Sequence, residues 1–206
     1  MIEYSIIIPT FGRPEFLKKC LNSIVIQTFK AETVFIIDNN INLETQNYVK
    51  KIVKSFSKNK TKFNYIKGVI NSGAVARNYG VSFASTELVA FLDDDVVLDN
   101  NYYEKILNVF EKNSDVVGVQ GLDRSLIENY QLNYNNYAGR ILLTFENIFE
   151  HSSIIKKNRS NLRPSLAVTH PIPTSNFFIE SQWISTCAGV FKRKLFNIIE
   201  LSLIHI

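Results

Sequence analysis

The stretch that decides the fold is Leu88-Val89-Ala90-Phe91-Leu92-Asp93-Asp94-Asp95, an uninterrupted apolar run closed by three adjacent carboxylates. A short apolar run ended by polar residues reads as a strand buried on both faces. Neighbouring carboxylates raise one another's pKa, so three in a row are unfavourable unless a cation compensates them. A hard divalent ion suits this: Mg²⁺ or Mn²⁺ prefers oxygen ligands and is commonly held by one or two carboxylates together with phosphates. Asp93 and Asp95, spaced i and i+2, can point the same way from an extended strand end. That turns Asp94 elsewhere, toward a backbone donor or a ribose hydroxyl. The competing reading of the same residues is a solvated acidic turn.

Upstream of this run the chain alternates. Residues 4–9 read as a buried strand of β-branched residues, and Thr10-Phe11-Gly12-Arg13-Pro14 supplies turn chemistry with Pro at a helix start. Phe16, Leu17, Cys20, Leu21, Ile24 and Val25 then form a helical face. A strand over 33–37 ends at Asp38-Asn39-Asn40, followed by a helix with Leu43, Val49, Ile52, Val53 and Phe56 inward. A weaker strand over 63–66 leads to a glycine-bearing loop and short helix over 71–84, then the decisive strand over 88–92. Tyr102, Tyr103, Ile106, Leu107 and Phe110 mark a further helix, and 116–119 a further strand. This order predicts an α/β fold with a mostly parallel, doubly wound sheet whose ligand site lies off the carboxyl ends of the strands. Asp38 and the Asp93 cluster both fall at such ends.

After Gly121 the rhythm breaks. Residues 122–136 are polar and aromatic, 141–149 read as helical, and 158–178 carry Pro164, Pro171 and Pro173, together an irregular insertion over the site. A strand is expected over 183–187, then Ala188-Gly189 and a basic helix start at Lys192-Arg193-Lys194. The expected organisation is one domain over 1–200, with a ligand-binding half over 1–121 and a second half over 122–200.

At 206 residues with 46% hydrophobic content the chain can fill the core of one ordinary domain. The net charge of +4 is scattered, which suits a phosphorylated ligand or an anionic membrane surface, and no basic-aromatic stripe points to nucleic acid. Cys20 and Cys187 have no His or Cys at metal-ligand spacing, so neither a disulfide framework nor a zinc site is indicated and a reducing cytoplasm is the default. The N-terminus lacks the pattern of a signal peptide, and no apolar run approaches the ~20 residues of a spanning helix. Peripheral attachment to the inner face of the membrane stays compatible with the composition.

Other segments carry weaker signals. Asn71-Ser72-Gly73-Ala74-Val75-Ala76-Arg77-Asn78-Tyr79-Gly80 has small residues where a backbone must approach a ligand, and Arg77 sits one turn into the helix. It reads either as an anion site at a helix N-terminus or as tight helix-sheet packing. Asp38 reads as an acceptor for a nucleobase or ribose, or as part of an ordinary turn. Thr10 and Arg13 carry the same ambiguity. His151 and His170 lie in the irregular region without partners and are assigned no role.

Taken together, Ser5-Ile6-Ile7-Ile8-Pro9-Thr10-Phe11-Gly12-Arg13, Ile36-Ile37-Asp38-Asn39, Asn71-x-Gly73-x-x-Ala76-Arg77-Asn78-x-Gly80 and Val89-Ala90-Phe91-Leu92-Asp93-Asp94-Asp95 resemble the family 2 inverting glycosyltransferases of the A-type (GT-A) fold. Their order and spacing cover the first half of the chain. Ser185-Thr186-Cys187-Ala188-Gly189-Val190-Phe191-Lys192-Arg193 resembles the acceptor-side segment of that family. The resemblance implies a nucleotide-diphospho-sugar donor (UDP-, GDP- or dTDP-linked) and a glycan or lipid-linked acceptor. Pro9, Thr10 and Asp38 would lie near the nucleobase, Arg77 near the nucleotide and Asp93 toward the ribose. Asp95 would bind the metal, with Asp93 beside it, and Arg13 and Asp94 would complete the donor side. Trp183, Ala188 and Gly189 would form the acceptor side.

The sequence departs from the family where the general base is expected, in an acidic segment downstream of Lys192-Arg193. Glu200 is the only carboxylate after Phe196 and its context does not match, and position alone does not promote Glu146 or Glu180. The catalytic base is therefore expected beyond this chain. Leu201-Ser202-Leu203-Ile204-His205-Ile206 is what the transposon-end adapter CTGTCTCTTATACACATC encodes, so these residues are expected to be a non-native tail on an interrupted gene.

Two rival readings stand beside this one. Asp93-Asp94-Asp95-Val96-Val97 mimics the Asp-x-Asp of haloacid-dehalogenase-like phosphatases, with Asp93 as nucleophile, although that motif normally follows a first strand. Alternatively, the chain binds nucleotide-sugar and metal but transfers nothing. Resequencing of the locus is expected to replace residues 201–206 with a longer frame; an intact genomic frame encoding them and then a stop would refute the tail.

Overall fold

The computed structural model describes residues 2–121, 152–156, 172–173, 179–180 and 187–197. Among these described residues nine strands form one sheet in the order β3-β2-β1-β4-β9-β5-β6-β8-β7. They are β1 (Tyr4–Thr10), β2 (Thr33–Asp38), β3 (Lys62–Lys67), β4 (Leu88–Phe91), β5 (Val116–Gly121), β6 (Ser152–Lys156), β7 (Ile172–Pro173), β8 (Ile179–Glu180) and β9 (Val190–Lys192). Helices α1 (Pro14–Val25), α2 (Leu43–Ser55), α3 (Gly73–Val81) and α4 (Tyr102–Lys112) connect the first five strands, and a 3₁₀ turn (Arg193–Asn197) follows β9.

The apolar runs exist because both faces of the sheet are covered. On one face Ile6, Ile8, Val34, Ile36, Leu88 and Ala90 pack with α1, α2 and α4. The residues between them, Ile7, Phe35, Ile37, Val89 and Phe91, point to the other face and meet α3 and the 3₁₀ turn. The period of two therefore persists, but each position is apolar, which is the signature of a two-sided strand. The doubly wound α/β reading holds.

The parallel half is β3-β2-β1-β4. From β4 outward the sheet is mixed, since β9 runs antiparallel to both β4 and β5 and separates them. The regular alternation along the chain up to Gly121 could not announce this, because the separating strand arrives from residues 190–192. Several local readings are revised. Cys187, the last residue of the strand expected over 183–187, lies in a bend, and residues 183–186 lie outside the described residues; a further strand, β9, follows Ala188-Gly189. The expected helix at Lys192 is β9 running into the 3₁₀ turn. Short strands β6, β7 and β8 occur within the span expected to be irregular, or just beyond it. The helix expected over 141–149 lies outside the described residues.

Phe16 and Leu43, expected inward, are 51% and 71% exposed. Both stand in the first turn of a helix, where the chain has only begun to turn onto the sheet. Elsewhere on α1 and α2 the inward stripe is as expected, with Leu17, Cys20, Leu21, Ile24, Val49, Ile52 and Val53 buried.

α3 is short and lies close against the sheet. A Cβ on Gly80 would stand 2.3 Å from Ile7 Cγ2 and 3.4 Å from Ile37 Cγ1, so the small residue there admits the strand side chains. Gly80→Ala should destabilise the protein by about 1–3 kcal/mol through overpacking, outweighing the helix-propensity gain of about 1 kcal/mol. Urea unfolding measures it, and a variant as stable as the wild type would show that the helix can shift freely.

Candidate active site

Parallel register places the strand ends side by side. Thr10 is paired with Asp38, and Asp38 with Lys67. β4 stops at Phe91, and Leu92 N–H donates to Ile7 O at 3.1 Å. The turn carrying Asp93, Asp94 and Asp95 therefore emerges beside the end of β1.

The three carboxylates do not share one direction. Asp94 is fully buried; Thr10 Oγ1 donates to its Oδ2 at 2.7 Å, and Arg13 Nη2 lies 2.7 Å from its Oδ1 as a charge contact without an aligned N–H. Burial pushes the Asp94 carboxyl up, while the Thr10 hydroxyl, the Arg13 guanidinium and the Phe11 backbone N–H pull it back. Asp95 is 41% exposed, and Arg13 Nη1 donates to its Oδ2 at 2.5 Å. Asp93 is paired with Arg77 Nη2. Asp94 faces away from its two neighbours, as the alternation predicted, while Asp93 and Asp95 stay part-exposed and engage different guanidiniums. Asp94, read as facing a backbone donor or a ribose hydroxyl, points into the interior, where a hydroxyl, a cation and the Phe11 backbone N–H meet it.

Arg77 reaches Asp93 from the second turn of α3. Ser72 caps this helix, its Oγ accepting from Val75 N at 3.4 Å. A Cβ on Gly73 would lie 3.0 Å from Arg77 Nη1, so that glycine makes room for the guanidinium. Tight helix-sheet packing is thus seen at Gly80, and Gly73 stands beside the Arg77 guanidinium.

Asp38 is also fully buried. Its Oδ1 accepts from Asn40 N at 2.9 Å and from Asn40 Nδ2 at 2.5 Å, and its Oδ2 from Tyr65 OH at 3.0 Å. Asn40 Oδ1 in turn accepts from Gly12 N at 2.7 Å, in a loop whose turn is made possible by Gly12 at φ +70°. Asp38, read either as an acceptor for a nucleobase or ribose or as part of a turn, organises the loops after β1 and β2. Pro9 lies half-buried at the end of β1. Sequence reasoning missed Tyr65 and Asn40. Tyr65 lies on a neighbouring strand, and Asn40 was read only as turn composition.

The segment after residue 186 closes the other flank. Asp93 N–H donates to Cys187 O at 3.0 Å, Phe91 N–H to Gly189 O at 2.9 Å, and Tyr102 OH to Ala188 O at 2.7 Å. Ala188 and Gly189, expected on the acceptor side, are thus held directly against the carboxylate turn. The Cys187 thiol is pushed up to about 12 by burial, then by the charge of Asp93 and its hydrogen bond to that carboxylate. Cys20 Sγ lies 3.6 Å from Asp93 O. Trp183 lies outside the described residues, as do His151 and His170.

Among the described residues no group of three or more His, Cys, Asp or Glu side chains forms a cage for a metal ion. Mg²⁺ and Mn²⁺ do not require one, since one or two carboxylates with phosphates suffice. Asp95 is the acidic group of the turn most open to solvent, and the turn carries three carboxylates against two guanidiniums. Its donor set therefore fits a hard divalent ion. Among the described residues no helix is long and apolar enough to cross a membrane.

The model for "Glycosyl transferase family 2" matches residues 5–178. The poly(ribitol-phosphate) beta-N-acetylglucosaminyltransferase TarP of Staphylococcus aureus (strain N315) is 35% identical over 135 residues, 61% of this chain and 40% of its own length. A GalNAc(5)-diNAcBac-PP-undecaprenol beta-1,3-glucosyltransferase of Campylobacter jejuni is 35% identical over 97 residues, 46% of this chain and 30% of its own. The chain thus spans well under half of either relative. The mannosyltransferase PcManGT from Pyrobaculum calidifontis, solved with GDP-Man and Mn²⁺, superposes with a TM-score of 0.51 at 16% identity, covering 56% of this chain and 34% of that one, and shares the fold.

The raised carboxyl of Asp94 has a sign that can be tested. Where the folded state holds a proton that the unfolded state has released, stability falls as pH rises. As pH rises above the ordinary carboxylate range, wild-type unfolding free energy should therefore carry a decline that Asp94→Asn lacks, and Thr10→Val, losing a hydrogen bond that favours the charged form, should extend that decline to higher pH. Parallel pH profiles for all three proteins would refute the assignment.

Proposed function

The chain belongs to glycosyl transferase family 2, and on that premise we propose that it moves a sugar from a nucleotide-diphospho-sugar to a hydroxyl of a glycan or lipid-linked acceptor, with a divalent metal and inversion at the anomeric carbon. The observation that carries this reading is the gathering of Thr10, Arg13, Arg77 and the Asp93–Asp95 turn at the carboxyl edge of the parallel strands. A site offering both guanidiniums and carboxylates matches a diphosphate that arrives with a metal ion. Two relatives named for sugar transfer to poly(ribitol-phosphate) and to an undecaprenol-linked glycan support this acceptor class, and a fold neighbour solved with GDP-Man and Mn²⁺ is in keeping with the donor and metal.

In this reading Asp95, with Asp93 beside it, holds Mg²⁺ or Mn²⁺. The bound ion would supply Lewis-acid neutralisation of charge developing on the departing nucleoside diphosphate. Arg77, fixed by Asp93 and the space at Gly73, presents its guanidinium along the nucleotide, where a preorganised cation stabilises a developing anion without reorganising. Asp38, through Tyr65 and Asn40, holds the loops that border the base. Pro9 and Thr10 bound the same pocket at the end of β1. Ala188 and Gly189, pinned to the turn, line the side from which an acceptor hydroxyl would attack opposite the leaving group, and a carboxylate outside the described residues would take its proton. Such chemistry is expected in the cytoplasm, at the inner face of the membrane where lipid-linked acceptors reside.

The phosphatase alternative requires Asp93 as a free nucleophile, whereas Asp93 is held by Arg77 and follows the fourth parallel strand. The reading that the chain binds donor without transferring differs only in turnover. With Mn²⁺ present, calorimetry against UDP, GDP and dTDP should give saturable binding of at least one, weakened roughly tenfold or more, about 1.4 kcal/mol, in Asp95→Ala. If none binds and the substitution changes nothing, the donor site is misassigned; donor hydrolysis or transfer by the same protein would exclude a merely binding role.

A further inference from the structure

Arg13 spans two carboxylates of unlike environment. Its Nη2 stands 2.7 Å from Oδ1 of fully buried Asp94, and its Nη1 2.5 Å from Oδ2 of Asp95, which is 41% exposed. The backbone that carries it is fixed on both sides: Gly12 N–H is bonded to Asn40, and Arg13 O accepts from Leu17 N at 3.1 Å in the first turn of α1. The residue stands at the N-cap of α1 but caps nothing with its side chain, and that side chain is 49% exposed. The guanidinium can therefore swing away from Asp95 while the fold stays in place.

We propose that Arg13 is the resident counter-cation of Asp95, and that its pairing with Asp95 and the binding of a divalent ion there exclude one another. This rests on the reading of Asp95 as a metal ligand. The turn carries three negative charges against two guanidiniums, so the local balance is close to neutral before any ion arrives. An added divalent cation meets a guanidinium already seated on the carboxylate it needs, and the two cations repel at close range. The ion gains access by displacing the Asp95 half of the Arg13 bridge, while the buried Asp94 keeps the arm near the site. The released guanidinium is then positioned to meet an anionic diphosphate, whose charge matches its forked donors. Arg13 is on this account a positioning residue that lets the acidic turn persist without metal and becomes available for phosphate when metal is bound.

The test uses MnCl₂ alone, with no nucleotide, titrated into the full chain by calorimetry and followed by the electron paramagnetic resonance signal of free Mn²⁺. Arg13→Gln should bind Mn²⁺ roughly tenfold more tightly than the wild type, because a competing charge is gone. Arg13→Lys, which keeps the charge, should stay within about threefold of the wild type. Circular dichroism shows whether the variants fold. A second measurement needs no variant: in wild-type protein labelled with ¹⁵N-arginine, saturating MgCl₂ should move the side-chain N–H resonance of Arg13. If wild type and Arg13→Gln bind Mn²⁺ equally, if the variant binds more weakly, or if Mg²⁺ binds without moving Arg13, the competition is wrong and the metal reading stands. If neither protein binds Mn²⁺ and Asp95→Asn changes nothing, the metal reading itself falls, and this inference with it.

Discussion

A carboxylate sealed from water, Asp94, has to be met by donors from the protein itself, and that requirement shapes the whole carboxyl edge of the sheet. A buried charge without partners is strongly unfavourable. The Thr10 hydroxyl, the Phe11 backbone and the Arg13 guanidinium are the groups that meet it, and all three lie at the end of β1 or in the loop that leads from it to α1. The turn after β4 and the loop after β1 are consequently one unit, although more than eighty residues separate them. Breaking one of these partners leaves the charge uncompensated, whereas a surface ion pair in the same place would matter little.

The unit can form because the strands beneath it are set in register by the two-sided core. Ile6 and Ile8 face α1, α2 and α4 while Ile7 faces α3, so a slip of one residue would exchange the faces presented to two differently shaped layers. With register held, Thr10, Asp38 and Lys67 end level. Asp38 then repeats on a smaller scale what Asp94 does. It too is buried and satisfied by Tyr65 and Asn40, and Asn40 reaches back to Gly12 in the loop that carries Arg13. Two buried carboxylates therefore hold opposite sides of one loop.

Much of this was legible in the sequence, and the parts that were not share a cause. Reading along the chain placed the first five strands and the four helices among the described residues, and the placement of Asp38 and Asp93 at strand ends came from their following such runs. Partners across the fold were invisible. Nothing near Asp94 in the chain announces Thr10 and Arg13, nothing near Asp38 announces Tyr65, and the direction of each carboxylate depends on where β4 stops. The i and i+2 spacing anticipated that Asp94 would turn away from Asp93 and Asp95, but not that Arg13 would bridge Asp94 and Asp95. β9 went unread for a related reason: Ala188-Gly189 is the approach to a strand, fixed by hydrogen bonds to Phe91 and by Tyr102, where a helix start was expected.

The last step concerns why the turn is acidic three times over. If a metal needs only one or two carboxylates, a third would be surplus repulsion, unless it acts elsewhere. The structure divides the labour among them. Asp94 is directed inward and secures the loop, Asp93 secures Arg77, and Asp95 is the one left most open to solvent. Each inward or lateral carboxylate also carries a guanidinium to the edge of the same space. Repulsion along the turn is thus relieved by the same cations that an anionic ligand would meet. The acidic run and the two arginines, far apart in sequence, are in physical terms a single charge-balanced device, and neither half would be stable in this arrangement without the other.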